Sequence, residues 1–167
     1  MAVLIKRTDP TGETQGASAT VQIRRARRTD FTGVMQLLAT SAVPVPPPER
    51  ATLRRFRNLV NDLGTDFYLA LVDGALVGLV HVTYARQLSV APLARLEQLL
   101  VVEPFRRRGI GRMLLRFGEQ RARKRGCGAI VCEAAAAASG ATHRFFEQAG
   151  FRPTGASWRQ SLHAREP

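Results

Sequence analysis

The chain has 167 residues, 45% of them hydrophobic, and carries 25 Lys and Arg against 13 Asp and Glu for a net charge of +12. That length supports one core without covalent staples, and that hydrophobic share excludes a disordered polyelectrolyte. No apolar run is long enough to cross a bilayer, no apolar segment follows Lys6 and Arg7 as a secretory signal would require, and two cysteines make neither a disulfide framework nor a complete metal site. A soluble cytoplasmic protein without metal is expected.

In chain order, residues 1–20 are rich in Thr, Gly, Ser and Ala without a hydrophobic period, so they are expected to be a disordered leader. Residues 21–167 are expected to form a single domain. Val21 to Ala26 reads as a strand, and Thr29 as the cap of a helix whose apolar face is Phe31, Val34, Leu37 and Leu38. The proline-rich run from Val43 to Pro48 breaks any helix. Leu53, Phe56, Val60 and Leu63 then recur at helical spacing up to Gly64. Phe67 to Val72 and Ala75 to Tyr84 flank Asp73-Gly74, a type I′ hairpin signal. Leu93 to Val102 reads as a strand, Ile110 to Arg125 as a helix ended by Gly126, and Ala129 to Cys132 as a short buried strand. The alanine run 134–138 leads into a helix from Thr142 to Ala149, and Phe151 to Leu162 supplies a last pair of strands. The fold class is α/β, a mixed sheet with helices packed on it.

Charge is concentrated. All cations except Lys6 and Lys124 are arginine, and between Pro104 and Arg125 nine cations face Glu119 alone, giving +8 of the +12. Within that stretch, Arg106-Arg107-Arg108-Gly109-Ile110-Gly111-Arg112 joins a strand to a helix. The first amides of a helix have no intrahelical acceptor and lie at the positive end of its dipole. Gly109 and Gly111 remove the side chains that would keep an anion away, so the segment reads as a pyrophosphate site. The Rossmann fingerprint would need a glycine at Leu114, and a phosphate loop would need Gly-Lys-Ser/Thr; neither fits.

The spacing that does fit is Arg106-x-x-Gly109-x-Gly111 after the strand Glu97-x-Leu99-x-Val101. It resembles the acyl-CoA signature of the Gcn5-related N-acetyltransferase (GNAT) superfamily. The likeness continues in Arg112-Met113-Leu114-Leu115 and in Thr142-His143-Arg144-Phe145-Phe146, and the element order agrees from about Val21 to Leu162. The resemblance implies parallel strands, Leu96–Val102 and Ala129–Cys132, that splay around acetyl-CoA. Leu99, Leu100 and Val101 would line its pantetheine arm, and its pyrophosphate would lie on amides from Arg107 to Arg112, with Arg106, Arg107, Arg108, Gly109, Ile110, Gly111 and Arg112 forming the site. An N-acetyltransferase acting by direct attack of a primary amine is then expected.

Glu97 is the expected base, on a strand face shared with Arg95, Leu99 and Val101; the alternative is a carboxylate paired with an arginine. The family's tyrosine acid is replaced by Phe146, which leaves Tyr84, Tyr68, His81 and His143 as candidates. His81 interrupts an apolar strand and is expected to be a hydrogen-bonded core residue, with an acceptor-side role as the alternative. Ser139 stands where the family has an asparagine touching CoA, and could instead cap the helix. Cys132 is expected in the core and Cys127 in a loop. The acceptor wall is expected between Phe31 and Leu63, with a small-molecule or peptide amine as acceptor and a homodimer as the common assembly. Two other readings stand: a non-catalytic acyl-CoA-binding module, and a nucleic-acid-binding domain. The latter rests only on arginine count, since no aromatic residues interleave the basic run and no recognition-helix motif occurs.

Overall fold

The computed structural model describes residues 2–6, 18–41, 45–86, 88–133 and 140–153. The chain divides into two compact units, residues 1–133 and 134–167. The first unit holds a six-stranded mixed sheet in the order β1 (Ala2–Lys6), β2 (Ser18–Arg25), β3 (Thr65–Val72), β4 (Ala75–Ala85), β5 (Leu93–Val101) and β6 (Ala129–Cys132). Neighbours are antiparallel except β5 and β6, which are parallel and joined through helix α3 (Ile110–Lys124). Helices α1 (Phe31–Ala39) and α2 (Arg50–Asn61) precede β3. The second unit contains helix α4 (Gly140–Gln148).

The leader is corrected in part. Ala2–Lys6 pairs antiparallel with the start of β2, and Ser18–Thr20 belong to β2 itself. The Ala-Val-Leu-Ile-Lys run has strong strand propensity, which composition averaged over twenty residues concealed.

Asp73 and Gly74 both have positive φ, +49° and +81°, as a type I′ turn requires. The hairpin they close is the centre of the sheet. On one face, Phe67, Leu69 and Leu79 meet Val34 and Leu37 of α1 and Phe56 and Val60 of α2. Rings continue the packing from Phe31 to Phe56 (5.6 Å) and from Phe56 to Phe67 (6.0 Å). On the other face lies α3, burying Ile110, Leu114, Leu115 and Ala122. A close approach is built in at Gly78, where an added Cβ would stand 2.8 Å from the Leu100 carbonyl oxygen and 3.1 Å from Leu114 Cδ1. Gly78→Ala is therefore expected to destabilise by about 1–3 kcal/mol through overpacking, and thermal unfolding of the variant checks it.

Several local expectations are revised. Thr29 does not cap α1. Asp30 ends a short 3-10 turn, accepts the Arg27 amide at 2.6 Å, and is held by the Arg24 fork through two bonds of 2.7 Å. Those bonds from Arg24 keep the Asp30 carboxyl below its ordinary range. Helix α2 stops at Asn61, so Leu63 falls off its stripe and is exposed, while Asp62 accepts the Gly64 amide at 2.6 Å. Strand β6 is half-buried rather than buried. Phe151–Pro153 form no strand, and the rest of the expected last strand pair, like the alanine run, lies outside the described residues.

Candidate active site

Strand β5 is built irregularly where the chemistry is expected. His81 on β4 lies opposite Gln98, yet the next residue, Val82, lies opposite Leu96. Glu97 is thus the extra residue of a β-bulge, which breaks the in-and-out alternation of side chains. Past the bulge, Leu100 and Val102 pack toward α1 and α2, while Val101 lies beside Leu114 of α3. Leu99 shares the α3 face with Val101, by alternation from it. Glu97 is on the opposite face, where Thr83 Oγ1 donates to its Oε1 at 2.6 Å. The expected face shared by Glu97, Leu99 and Val101 is corrected accordingly; of that set, only Arg95 lies on Glu97's side. Arg95 does not pair with Glu97, because its guanidinium is bonded to Glu133.

The same strand opens along one edge. β6 pairs with Leu93 through Leu96 only, so among the described residues no strand continues beside Glu97–Val101. The Val102 amide donates to Val77 O on β4 at 3.0 Å. By alternation, the backbone groups of Leu99 and Val101 point the other way, toward the open edge. The Val101 carbonyl there accepts Arg106 Nε at 3.0 Å.

After β5 the chain makes a 3-10 turn at Glu103–Phe105 and enters α3 through a left-handed loop. Arg107 has φ +59° and Gly109 φ +82°. A positive φ is costly for a residue as large as arginine, and such conformations persist where surrounding structure enforces them. The Arg108 guanidinium lies 5.4 Å from the Phe105 ring centroid. Gly109 is the N-cap of α3 and provides no side-chain hydrogen bond, so the amides of Ile110, Gly111 and Arg112 have no side-chain cap. The first internal bond of the helix runs from the Met113 amide to Gly109 O at 3.0 Å. A Cβ placed on Gly109 would meet nothing within 4 Å. Arg106, Arg107 and Arg112 are exposed around this helix start.

The acid candidates separate by face. The Tyr84 hydroxyl donates to Asp66 Oδ2 at 2.7 Å, and burial, reinforced by that carboxylate, raises its titration above the ordinary tyrosine value. The Tyr68 ring meets Phe117 of α3 edge to face, with centroids 4.6 Å apart. Both are on the α3 face, away from Glu97. His143 is exposed on α4, and Phe146 packs between the Phe145 and Phe151 rings at 5.3 and 5.2 Å. Ser139 lies outside the described residues. Cys132 and Cys127 are half-buried thiols pushed up by burial.

His81 is buried as expected, but not hydrogen-bonded as expected: its Nε2 has no partner among the described residues. Its ring lies 5.3 Å from Phe67, and burial holds its pKa below the ordinary value against the opposing pull of Glu97. Thr83 was missed in the sequence, because only the strand register shows which β4 residue meets Glu97. Among the described residues there is no group of three His, Cys, Asp or Glu that could hold a metal, and no helix is long and apolar enough to cross a membrane.

Residues 24–151 match the acetyltransferase (GNAT) family. No curated protein sequence matches the chain. Similar solved structures include a transcriptional regulator from Bacillus halodurans C-125, at 24% identity and TM-score 0.77, covering 85% of this chain and 99% of that one. The aminoglycoside N-acetyltransferase AAC(6')-Iy in complex with CoA is 18% identical with TM-score 0.74, covering 90% and 99%. Glucosamine-6-phosphate N-acetyltransferase from Arabidopsis thaliana is 15% identical with TM-score 0.72, covering 86% and 99%.

Proposed function

The chain belongs to the acetyltransferase (GNAT) family, and we propose that it is an acetyl-CoA-dependent N-acetyltransferase acting on a primary amine of a small molecule or peptide. The observation that carries this reading is a pair of open features: an edge of β5 from Glu97 to Val101 that no strand among the described residues covers and, after one turn and a loop, the α3 amides without a side-chain cap. An extended amide-bearing chain ending in a pyrophosphate fits that pair. The strand edge offers it backbone donors and acceptors, and the helix start offers amides and positive field.

The residues present fit the cofactor. Gly109 leaves the approach to the helix start open, Ile110, Gly111 and Arg112 would give their amides to the pyrophosphate, and Arg106, Arg107, Arg108 and Arg112 would surround it with charge. Leu99, Leu100 and Val101 would flank the pantetheine arm, with Leu99 and Val101 presenting backbone groups to it. When bound, acetyl-CoA supplies a thioester whose carbonyl carbon an amine attacks, forming the C–N bond as the C–S bond breaks.

The chain's own part is proton handling. Glu97 is proposed to take the proton of the incoming ammonium, which restores the nitrogen lone pair. Thr83 holds the carboxylate by one oxygen. Because Glu97 is exposed, the proton it collects can pass to solvent. The two tyrosines on the α3 face are engaged elsewhere, so neither is assigned as an acid.

The test is thermal unfolding with acetyl-CoA, followed by measurement of free CoA released across a panel of amines. A ligand at one hundred times its Kd adds about 2.7 kcal/mol of stability. No shift in Tm at large excess would remove the reading; a shift without CoA release on any amine would favour the non-catalytic module. Gly109→Val is expected to lose the acetyl-CoA shift, since valine both resists the +82° φ of this position and places methyl groups over the helix start. Retention of the full shift in a folded variant would show that the pyrophosphate lies elsewhere.

A further inference from the structure

Two polar residues on one face of β4 flank the Glu97 bulge: Thr83 has a partner, whereas the Nε2 of His81 has none among the described residues. Thr83 donates to Glu97 Oε1 at 2.6 Å. His81, two residues earlier and therefore on the same face, is 8% exposed, and its Nε2 has no hydrogen-bond partner among the described residues. Buried polar atoms are nearly always paired, and one left unpaired costs more than an ordinary hydrogen bond returns. The His81 Nε2 makes no bond to Glu97 in this structure. We propose that His81 is a positioning residue for Glu97, its Nε2–H turning to the carboxylate oxygen that Thr83 does not take when the base is at work, so that the two β4 residues aim it together.

The surroundings suit this role. The Phe67 ring, 5.3 Å away, packs on the imidazole from β3, with Phe56 of α2 behind it. From β5, Glu97 is the charged group acting on His81, and Gln98 is its uncharged partner across the ladder. Burial keeps the imidazole neutral, with one ring nitrogen protonated. A neutral donor can orient a carboxylate without adding a fixed positive charge that would repel the incoming ammonium; an arginine or lysine here would do both. The bulge supplies the geometry, because it turns Glu97 onto the face that His81 and Thr83 share.

This inference rests on Glu97 being the base, so its test includes an arm that needs neither acetyl-CoA nor an amine. The full chain, labelled with 13C at histidine Cε1, is titrated by NMR; its three histidines are His81, His143 and His163, and His81→Gln assigns the first. Glu97→Gln removes the anion that favours the imidazolium, and the pH at which His81 titrates is expected to fall below its wild-type value. An unchanged titration would overturn the proposal whether or not the protein is an acetyltransferase. The second arm is kinetic. His81→Phe is expected to lower kcat about tenfold, the worth of one hydrogen bond, with KM for acetyl-CoA unchanged. His81→Gln, which restores a neutral N–H donor, is expected to recover most of the rate. Equal losses in the two variants would mean that His81 only fills space.

Discussion

Asp66→Ala is expected to destabilise the fold by about 3 kcal/mol, lowering Tm by roughly 6–12 °C. Asp66 is 1% exposed and is the point where three elements meet. Arg121 and Arg125, from the end of α3, reach it through their Nε atoms at 3.0 and 3.2 Å, Tyr84 of β4 donates at 2.7 Å, and Arg25 of β2 approaches to 3.5 Å. Removing the carboxylate leaves guanidinium groups gathered with no anion between them, which is the costly way to break a buried pair. The loss sits at the lower end of the usual range because Arg25, Arg121 and Arg125 keep 35%, 30% and 23% of their side-chain surface exposed and can rehydrate. The pH dependence has a definite sign. Burial pushes the Asp66 carboxyl up, but the bonds from Arg121, Tyr84 and Arg125 outweigh it, and the folded value lies below the ordinary one. Its stabilisation is therefore complete above the unfolded carboxylate range, near about 3.9, and is lost as pH falls through the folded value. The gap in Tm between wild type and variant should hold steady down to that range and narrow below it; a gap that persists unchanged in stronger acid would contradict the assignment.

This node also accounts for arginines that charge counting left without a role. Arg25 lies in the run Arg24-Arg25-Ala26-Arg27-Arg28, and Arg121 and Arg125 lie at the basic end of α3. Read along the chain they look like solvated surface, since Asp66 is 41 residues from the first and 55 and 59 from the others. Contacts of that span have no local signature. What was legible came from short-range rules: the Asp-Gly turn, the strand that feeds Arg106 to Arg112, the helix ended by Gly126, and the fold class these imply. Glu97 and the loop glycines were singled out by their resemblance to the GNAT signature, and their roles are proposals. Their orientation was not legible. A β-bulge inserts one residue without changing composition, and that single residue moved Glu97 off the face of Leu99 and Val101 and put it against Thr83. The first strand was hidden for a different reason, since five apolar-rich residues are too few to outweigh the fifteen around them.

Glu97→Gln is expected to lower turnover at neutral pH by about 10²–10⁴-fold, the range for loss of a positioned general base. The substitution keeps the shape and can still accept the Thr83 hydroxyl, and Glu97 is exposed, so folding and acetyl-CoA stabilisation should be unchanged. The size of the effect follows from the amine. An alkyl ammonium with an ordinary pKa near 10.4 is neutral in only about one part in a few thousand at pH 7. A carboxylate beside it removes the proton within the complex, whereas glutamine must wait for the rare neutral form. The deficit should consequently shrink as pH rises toward about 10, where the amine loses its proton unaided. The measurement is the ratio of wild-type to variant kcat/KM for the amine across that range, at saturating acetyl-CoA. A ratio that is large at neutral pH, falls steadily and is carried by kcat identifies Glu97 as the base. The same fall carried by KM for the amine, with kcat unchanged, would make Glu97 a binding group for the acceptor, attracting its positive charge without taking its proton. A ratio near one throughout would move the base to another residue, and would remove the ground for reading Thr83 and His81 as its supports.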